Sequence, residues 1–419
     1  MSKTAEIFCI GTEVLIGDIV NTNAAYISRR LSETGINVYH HTVCGDNPER
    51  IKKCLDIAFD RSDIVVTTGG LGPTYDDITK EIVASKLGLE LYEDKDVLAR
   101  ITSFFDKRGL KMTENNRKQA LIPKGAVIFE NIHGTADGLA VQSGGKTVIM
   151  LPGPPRETEP MLENSVIPYL KGFSDHILVS SNVHIFGIGE STVESMLSDL
   201  MKSSVNPTVA PYVNAGEVRL RVTASGKTES EAKELILDTE KKISDILGKY
   251  VYGIDVPSIE YVLVNKLLTQ NKKIAFAESC TGGLISKRLT DVSGASGVFC
   301  YGFVTYSNEA KIKMLGVSES TLKAYGAVSV QTACEMASGA LEKSGSDIAV
   351  SVTGVAGPSG GTEEKPVGTV CIGIAVKGKE VKAKKLFLGG HKGNQRDFIR
   401  TLTASNAFKT ALDELDGIS

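Results

Sequence analysis

Hydrophobic and polar residues follow three different patterns along the chain. Up to about residue 170, short apolar runs alternate with stretches whose apolar residues recur at helical spacing. This alternation is typical of βαβ units and a parallel sheet. It predicts three strands and two helices: Ala5–Ile10, Ile64–Thr68, Thr147–Leu151, Asn23–Glu33 and Thr79–Leu87. We therefore expect an α/β domain over residues 1–172.

The second segment predicts a small α+β module over residues 173–255. It has two strands and two helices, Ile177–Phe186, Glu217–Thr223, Glu190–Met201 and Thr228–Leu247. Thr228 is followed three residues later by Glu231, which is the spacing of a helix capping box. Residues 209–218 are interpreted as a loop, and the module itself as a packing or dimer spacer.

The third segment, residues 256–419, predicts a second α/β domain. Two helices flank five strands, in the order Ser258–Gln270, Lys273–Ala277, Val298–Tyr306, Asp347–Val352, Thr369–Val376, Lys382–Phe387 and about 394–414. Most strands are separated by residues with helical or loop character, as in a sheet covered by helices.

Composition narrows the functional classes. The 419 residues carry a net charge of −3 and no Trp, which argues against a polyanion binder and against direct nucleic-acid binding. The seven Cys are scattered without a C-x-x-C pair, which indicates reduced thiols rather than disulfides or zinc. Neither a signal sequence nor a run of 18 apolar residues is present, so we expect a cytoplasmic protein without a membrane segment.

Three loops of the first domain combine glycine with polar residues where strands are predicted to end. They are Gly11–Asp18 with Asn21–Asn23, Thr67–Asp77, and Leu151–Glu157. Such loops let backbone N–H groups approach a phosphate, and Asp76 and Asp77 add oxygen ligands that suit Mg²⁺ or Mn²⁺. The alternative is an ordinary turn followed by acidic residues at a helix start. The candidate ligand-binding residues are Gly11, Thr12, Glu13, Asn23, Gly69, Gly70, Gly72, Pro73 and Thr74.

Ser279 is the candidate nucleophile of the third segment. It stands between a predicted strand and a helix, where its hydroxyl and the N–H groups of the next turn would face the same point. The alternatives are a helix N-cap for Ser279 and a nucleophilic role for Cys280. His391 is the only histidine of this segment and lies far along the chain, so a Ser-His-Asp triad has little support. Tyr306 and Lys311 remain open as the general base.

Further polar residues are predicted to surround Ser279. The loop after Val352 begins with Thr353 and is rich in glycine, so it can wrap closely around a ligand. Arg396 and Arg400 lie on one face of the last helix and suit a phosphate, unless they pair with Asp397 or Glu414 on the surface. Candidate binding residues in the two loops are Thr281, Gly282, Gly283, Gly354 and Gly357.

The motifs of the first domain resemble the molybdopterin-binding fold, and in particular the N-terminal half of the CinA family of competence/damage-inducible proteins. The matching motifs are Gly11-Thr-Glu-x-x-x-Gly17, Thr68-Gly-Gly-Leu-Gly-Pro-Thr-x-Asp-Asp77 and Leu151-Pro-Gly-x-Pro155. The resemblance implies a pyrophosphatase that hydrolyses ADP-ribose with a divalent metal (Mg, Mn or Co), and it assigns the metal or its water to Asp46 and Asp77. Leu71 stands where cofactor-synthesis members usually have Thr, which disfavours molybdopterin as the ligand.

The third segment resembles the C-terminal domain of the same family, the nicotinamide-nucleotide amidohydrolases. The matching motifs are Ser279-x-Thr-Gly-Gly, Tyr306-x₄-Lys311, Leu315-Gly-Val, Gly326-Ala-Val-Ser, Thr353-Gly-x-Ala-Gly-Pro-x-Gly-Gly, Pro366-Val-Gly-Thr-Val and Gly393-x-x-Arg396-x-x-x-Arg400. The resemblance implies hydrolysis of nicotinamide mononucleotide to nicotinate mononucleotide and ammonia without a metal. It assigns the nucleophile to Ser279, supported by Tyr306, Lys311 and Thr353.

Together these resemblances predict a bifunctional enzyme of pyridine-nucleotide recycling. Its expected substrates are nicotinamide mononucleotide and ADP-ribose, and the expected assembly is a homodimer. Two alternatives stay open: a protein that binds molybdopterin or transfers adenylate to it, and a non-enzymatic partner in competence or recombination.

Overall fold

The computed structural model describes residues 3–173, 177–214, 216–390 and 395–417. Within it the chain divides into two compact units. One comprises Met1–Ser180 with Ala224–Leu235, and the other comprises Ser181–Thr223 with Ile236–Ser419. No helix among the described residues is both long and apolar enough to cross a membrane.

The N-terminal domain is built on a six-stranded sheet. Its strands and a separate short hairpin are β1 Thr4–Ile10, β2 Asn37–Cys44, β3 Ile64–Thr68, β4 Leu91–Glu93, β5 Leu121–Pro123, β6 Val127–Phe129, β7 Gly138–Ser143 and β8 Lys146–Leu151. The sheet order is β2-β1-β3-β8-β7-β6, and β4 pairs with β5. Strands β2, β1, β3 and β8 are parallel, whereas β7 is antiparallel to both of its neighbours, β8 and β6. The expected parallel sheet is therefore mixed, because Gly144 and Gly145, both with positive φ, close a two-residue hairpin between β7 and β8.

Helices cover both faces of this sheet. They are α1 Thr12–Leu15, α2 Thr22–Glu33, α3 Pro48–Arg61, α4 Thr79–Leu87, α5 Lys95–Asp106, α6 Pro155–Met161 and α7 Ile167–Leu170, with a 3₁₀ helix at Glu114–Ala120 and a π-helical turn at Leu162–Val166. Alternate residues of β1 enter opposite cores: Phe8 packs with α3, α4 and α5, whereas Ile7 packs with α2 and the π-helical turn. The carboxyl ends of β1, β3 and β8 therefore meet at one edge that is open for a ligand.

The middle module is an α+β unit, as predicted. Its elements are β9 Ile177–Phe186, α8 Glu190–Ser203, β10 Thr208–Asn214, β11 Glu217–Gly226, α9 Glu229–Leu247 and β12 Val251–Ile254. The sheet order is β10-β11-β9-β12. The loop expected over residues 209–218 is wrong, because β10 and β11 form an antiparallel hairpin from Thr208↔Thr223 to Asn214↔Glu217. The capping-box prediction is supported, since the Glu231 N–H donates to Thr228 Oγ1 over 3.2 Å.

The C-terminal domain contains a five-stranded mixed sheet in the order β14-β13-β15-β16-β17. The strands are β13 Ile274–Glu278, β14 Phe299–Val304, β15 Ile348–Gly354, β16 Thr369–Val376 and β17 Lys382–Phe387. The helices are α10 Ile259–Thr269, α11 Leu284–Thr290, α12 Asn308–Leu315, α13 Glu319–Tyr325, α14 Val330–Ser344 and α15 Gln395–Leu415. Strands β13, β14 and β15 are parallel, so their carboxyl ends bring together Ser279, Thr305 and Gly354. The α/β fold predicted for this segment is confirmed.

Candidate active sites

Ser279 occupies the sharp turn after the central strand β13. Its backbone N–H donates to the Val352 carbonyl over 3.0 Å, so the residue is fixed beside the end of β15. Helix α11 begins only at Leu284, with Gly283 as its N-cap in a left-handed conformation. Ser279 is therefore not a helix cap, and its side chain is available for chemistry.

Lys311 is the side chain that meets the Ser279 hydroxyl. It lies on α12, whose start is fixed by Ser307 accepting the Ala310 N–H over 3.1 Å. Its Nζ is 3.1 Å from Ser279 Oγ, 2.9 Å from the Thr305 carbonyl and 3.3 Å from the Tyr306 carbonyl. The side chain is 1% exposed. Lys311 and Ser279 thus form a buried pair held by two backbone carbonyls.

Burial lowers the pKa of Lys311, and the nearby Cys280 and Glu309 only partly oppose this shift. Two N–H bonds of a neutral amine can be donated to the two carbonyls, which leaves its lone pair for the proton of Ser279. The neighbouring Cys280 behaves differently, because burial raises the pKa of its thiol to about 12. The pair therefore offers a base beside the serine, while the cysteine stays protonated.

Tyr306 takes another direction from Lys311. Its side chain is 62% exposed, and its hydroxyl accepts a hydrogen bond from Arg396 Nη2 over 3.3 Å. Of the two base candidates, Lys311 is the one in hydrogen-bond contact with Ser279 Oγ. The Tyr306 backbone still contributes, because its carbonyl accepts from Lys311.

Both arginines of α15 reach the loops around Ser279. Arg396 Nη1 donates to the Gly357 carbonyl over 2.6 Å, and Arg400 Nη2 donates to the Thr281 carbonyl over 2.7 Å. Thr353 is buried and donates to the Ala327 carbonyl over 2.7 Å. Arg396 and Arg400 therefore border the loops that follow β15 and β13, whereas the Thr353 side chain is bonded to the segment before α14. His391 and Gly393 lie outside the described residues.

The backbone amides after Ser279 differ from the expectation that the next turn faces the serine. Gly282 N–H donates to the Ser279 carbonyl, and Leu284 N–H donates to the Thr281 carbonyl. Gly283 N–H donates to Glu278. The amides of Cys280 and Thr281 donate to no other residue within the described ranges. These two N–H groups are therefore the candidates for binding an oxyanion.

A cavity of about 770 Å³ lies at the open edge of the N-terminal sheet. All but one of the binding and metal residues predicted for the N-terminal domain line this cavity: Gly11, Glu13, Asn23, Asp46, Gly69, Gly70, Gly72, Pro73, Thr74 and Asp77. The exception, Thr12, instead donates its N–H and hydroxyl to Asp46, each over 2.9 Å. The volume suits a nucleotide-sized ligand.

Glycine is required where the loop Thr67–Asp77 approaches the end of β1 and the start of α4. Gly69 has φ of +100°, and a Cβ there would lie 2.1 Å from the Ile10 carbonyl oxygen. Gly70 has φ of +69°, and its Cβ would lie 2.1 Å from Thr79 Oγ1. Thr79 also begins α4, seven residues beyond Gly72, so this helix does not directly follow the glycines. The loop itself, rather than the helix start, forms the cavity wall.

Asp46 and Asp77 are the two carboxylates predicted to hold a divalent metal, and both line this cavity. Asp77 accepts the Thr74 N–H over 2.9 Å, and Asp46 is held by Thr12. No group of three or more His, Cys, Asp or Glu that could hold a metal occurs in the described ranges. Carboxylates on a cavity wall are the type of donor that Mg²⁺ takes, one or two at a time, together with water and substrate phosphates.

Three family models match the chain in order. They are the probable molybdopterin binding domain over residues 6–172, the damage-inducible protein CinA KH domain over residues 180–253 and the CinA C-terminal domain over residues 257–415. A "CinA-like protein" of Dictyoglomus turgidum is 51% identical over 401 residues, which is 96% of each chain. A relative from Caldanaerobacter subterraneus subsp. tengcongensis, named as a "competence-damage inducible protein", is 52% identical and covers 98% of each chain.

The chain belongs to the CinA family. The resemblance found in the sequence is thereby confirmed for the whole chain. A crystal structure of the competence/damage inducible protein CihA from Agrobacterium tumefaciens is 42% identical to the chain. It covers 38% of this CinA chain and 97% of its own, with a TM-score of 0.35.

Some cavity residues of this CinA chain carry no motif that sequence reasoning could detect. Phe104, Phe105, Asn116 and Gln119 line the N-terminal cavity from α5 and the 3₁₀ helix. Glu157 is more accessible to sequence reasoning, since it ends the third loop, and it accepts from Asn131 Nδ2 over 2.8 Å. In the C-terminal site the missed residue is Glu278, which directly precedes Ser279.

Proposed function

We propose that the C-terminal domain hydrolyses nicotinamide mononucleotide to nicotinate mononucleotide and ammonia. The observation that carries this proposal is the 3.1 Å contact between Lys311 Nζ and Ser279 Oγ in a buried environment. A serine with an amine base is a known arrangement for acyl transfer, and a carboxamide is an acyl donor. Membership of the CinA family supports the same reaction.

The reaction proceeds through an ester of Ser279. Neutral Lys311 takes the hydroxyl proton while Oγ attacks the carboxamide carbon, and the Cys280 and Thr281 amides receive the oxyanion. Lys311 then returns the proton to the departing ammonia. Water, deprotonated by the same amine, attacks the ester, and the acid is released as Ser279 regains its proton. In this proposal Arg396 and Arg400 bind the 5′-phosphate with the N–H groups that remain free of the loop carbonyls.

Ammonia release from nicotinamide mononucleotide tests this proposal. We expect release by the wild-type chain in EDTA, and a loss of at least about 1,000-fold in Ser279→Ala. Cys280→Ala is the matched control because it removes the neighbouring nucleophile, and we expect it to retain activity. Activity in Ser279→Ala, or its loss only in Cys280→Ala, would reassign the nucleophile. A folded but inactive wild type would contradict the proposed reaction.

We propose a second activity for the N-terminal domain, the hydrolysis of ADP-ribose to AMP and ribose 5-phosphate. The supporting observation is a cavity that combines a close glycine loop with Asp46 and Asp77. A divalent ion (Mg²⁺, Mn²⁺ or Co²⁺) held by these carboxylates would neutralise charge on the pyrophosphate. The backbone of the Gly69–Pro73 loop would bind the phosphate oxygens and orient the scissile bond.

AMP formation from ADP-ribose, with and without Mg²⁺, tests the second activity. We expect Asp77→Asn to lower the rate by at least about 100-fold, since one charge on the ion's ligand set is lost. Asp60→Asn, on the exposed side of α3, is the matched control and should retain the rate. Metal-independent AMP formation, or an unaffected Asp77→Asn, would contradict the proposal. The active assembly in both reactions is proposed to be a homodimer, which sedimentation analysis would check.

A further inference from the structure

Glu278 is a buried carboxylate whose oxygens are fully used by the turn that follows Ser279. Oε2 accepts the N–H groups of Gly283 and Ile285, each over 3.0 Å. Oε1 accepts the N–H and the hydroxyl of Ser286 over 2.8 and 2.7 Å. The residue is 0% exposed. One carboxylate therefore satisfies three backbone donors at the start of α11 from outside that helix.

The backbone of Glu278 is equally constrained. It is the last residue of β13, paired with Val304 on one side and Val352 on the other. Its carbonyl accepts the Thr305 N–H over 2.8 Å, and the Thr305 carbonyl in turn accepts from Lys311 Nζ over 2.9 Å. Glu278 thus connects the turn that carries Ser279 with the backbone that carries its base.

The bonds to Glu278 also decide which amides remain free in the turn. Because its carboxylate accepts the N–H groups of Gly283, Ile285 and Ser286, the turn is fixed in a form in which the Cys280 and Thr281 amides donate to no other described residue. A charged acceptor forms stronger hydrogen bonds than a neutral one, so it can hold such a turn against relaxation.

We propose that Glu278 is a positioning residue: its buried carboxylate fixes the Ser279 turn so that the nucleophile, Lys311 and the two free amides are aligned before substrate binds. The inference rests on the proposed amidohydrolase function. Glu278 touches no reacting atom. It acts through the geometry of the turn and of Thr305.

Glu278→Gln tests the proposal because it preserves size but replaces one acceptor oxygen by an NH₂ group that faces two donors. We expect kcat for nicotinamide mononucleotide to fall by about 10- to 100-fold, with KM changed by less than about threefold. Amide hydrogen exchange should accelerate in peptides covering residues 279–290. Glu335→Gln is the matched control, since Glu335 accepts the Ser318 N–H over 2.8 Å at another helix of the same domain. It should leave kcat unchanged.

Labelling of Ser279 by a fluorophosphonate separates positioning from loss of folded protein. In Glu278→Gln the labelling rate should fall while the final stoichiometry stays at one label per chain. If the variant folds poorly, Ser286→Ala, which removes one of the four bonds, should still lower kcat by about two- to fivefold. Wild-type kcat and exchange in Glu278→Gln would overturn the proposal. If the wild type labels at Ser279 but does not deamidate, slower labelling of Glu278→Gln still supports positioning, and only the proposed reaction fails.

Discussion

At the scale of single residues, the burial of Lys311 that favours the proposed base also lowers the stability of the fold. The Lys311 amine is 1% exposed and bonded to two carbonyls and a hydroxyl, and no carboxylate of the part of the chain that the structure describes is in hydrogen-bond contact with it. Its charged form is therefore poorly solvated, and burial lowers its pKa. The same poor solvation of the charged form that makes the residue costly to the fold favours its neutral, proton-accepting form.

Lys311→Met separates the cost of the buried amine to stability from its proposed action as a base. The thioether fills a similar volume without a charge, so we expect the free energy of unfolding to stay unchanged or rise by about 1 kcal/mol. Deamidation should fall by at least about 100-fold because the base is gone. Thermal unfolding and ammonia release measure the two effects. Lys313→Met on the exposed side of α12 is the control, and comparable losses in both variants would contradict a specific role for Lys311.

The pH dependence follows from the direction of the same shift. The neutral amine is the active form, so kcat/KM should rise with pH along a limb centred below the ordinary lysine value of 10.5. Between the folded-state pKa and 10.5 the unfolded chain binds the proton that the folded chain has released, so the free energy of unfolding also rises with pH. Below the folded-state pKa both the folded and the unfolded chain bind the proton, so the gain in the free energy of unfolding is lost. A residual limb with the same midpoint in Lys311→Met would identify a different base.

Site residues that belong to a recognisable sequence motif could be predicted. Residues whose role depends on contacts made only in the folded chain could not. Ser279, Lys311, Arg396 and Arg400 were found from motifs, and the structure brings all four to the same loops. Sequence alone could not choose between Lys311 and Tyr306, because their side-chain directions depend on where α12 begins. Glu278 was overlooked because it lies just after the predicted strand, in no recognised motif role, and its bonds to Gly283, Ile285 and Ser286 form only in the folded turn.

At the scale of secondary-structure elements, the position of α12 depends on its packing against α14. Gly339, in the middle of α14, lies so close to α12 that a Cβ would be 1.8 Å from the Leu315 carbonyl oxygen. Glycine is usually unfavourable within a helix by about 1 kcal/mol relative to alanine. Here the close approach of the two backbones requires it. The contact fixes the helix that carries Lys311.

Gly339→Ala should therefore destabilise the C-terminal domain despite the better helix propensity of alanine. We expect a loss of about 1–3 kcal/mol in the free energy of unfolding, because the two helices must separate. Deamidation should also fall, since α12 moves Lys311 away from Ser279. Calorimetry and ammonia release would measure this. Ser338→Ala, the exposed neighbour on α14, should have neither effect, and a stabilised Gly339→Ala would contradict the argument.

Most elements followed from hydrophobic patterning, whereas strand direction did not. The strands Ile64–Thr68 and Thr369–Val376 were predicted to the residue, because continuous apolar runs identify buried strands. The antiparallel direction of β7 and of β16 depends on tight turns and return loops that leave little trace in that pattern. The hairpin at residues 208–226 was missed in part because Pro211 lies within β10.

At the scale of the whole molecule, the two proposed sites belong to different compact units of one chain. The cavity residues fall within Met1–Ser180, and Ser279 and Lys311 fall within Ile236–Ser419. The domain boundaries predicted at residues 172 and 255 stay a prediction. Substitutions at distant sites without shared partners are usually additive. The two activities should therefore respond independently.

Measuring both reactions in Asp77→Asn, in Ser279→Ala and in the double variant tests this independence. Asp77→Asn should lose ADP-ribose hydrolysis but retain ammonia release within about twofold, and Ser279→Ala should show the reverse. In the wild type, EDTA should abolish ADP-ribose hydrolysis but leave ammonia release unchanged, because only the N-terminal reaction is proposed to use a metal. The double variant should lose both activities, each to the same extent as in the corresponding single variant. If Ser279→Ala also lowers ADP-ribose hydrolysis by tenfold or more, the sites are coupled. The chain would then act as one enzyme with communicating centres rather than as two enzymes in one polypeptide.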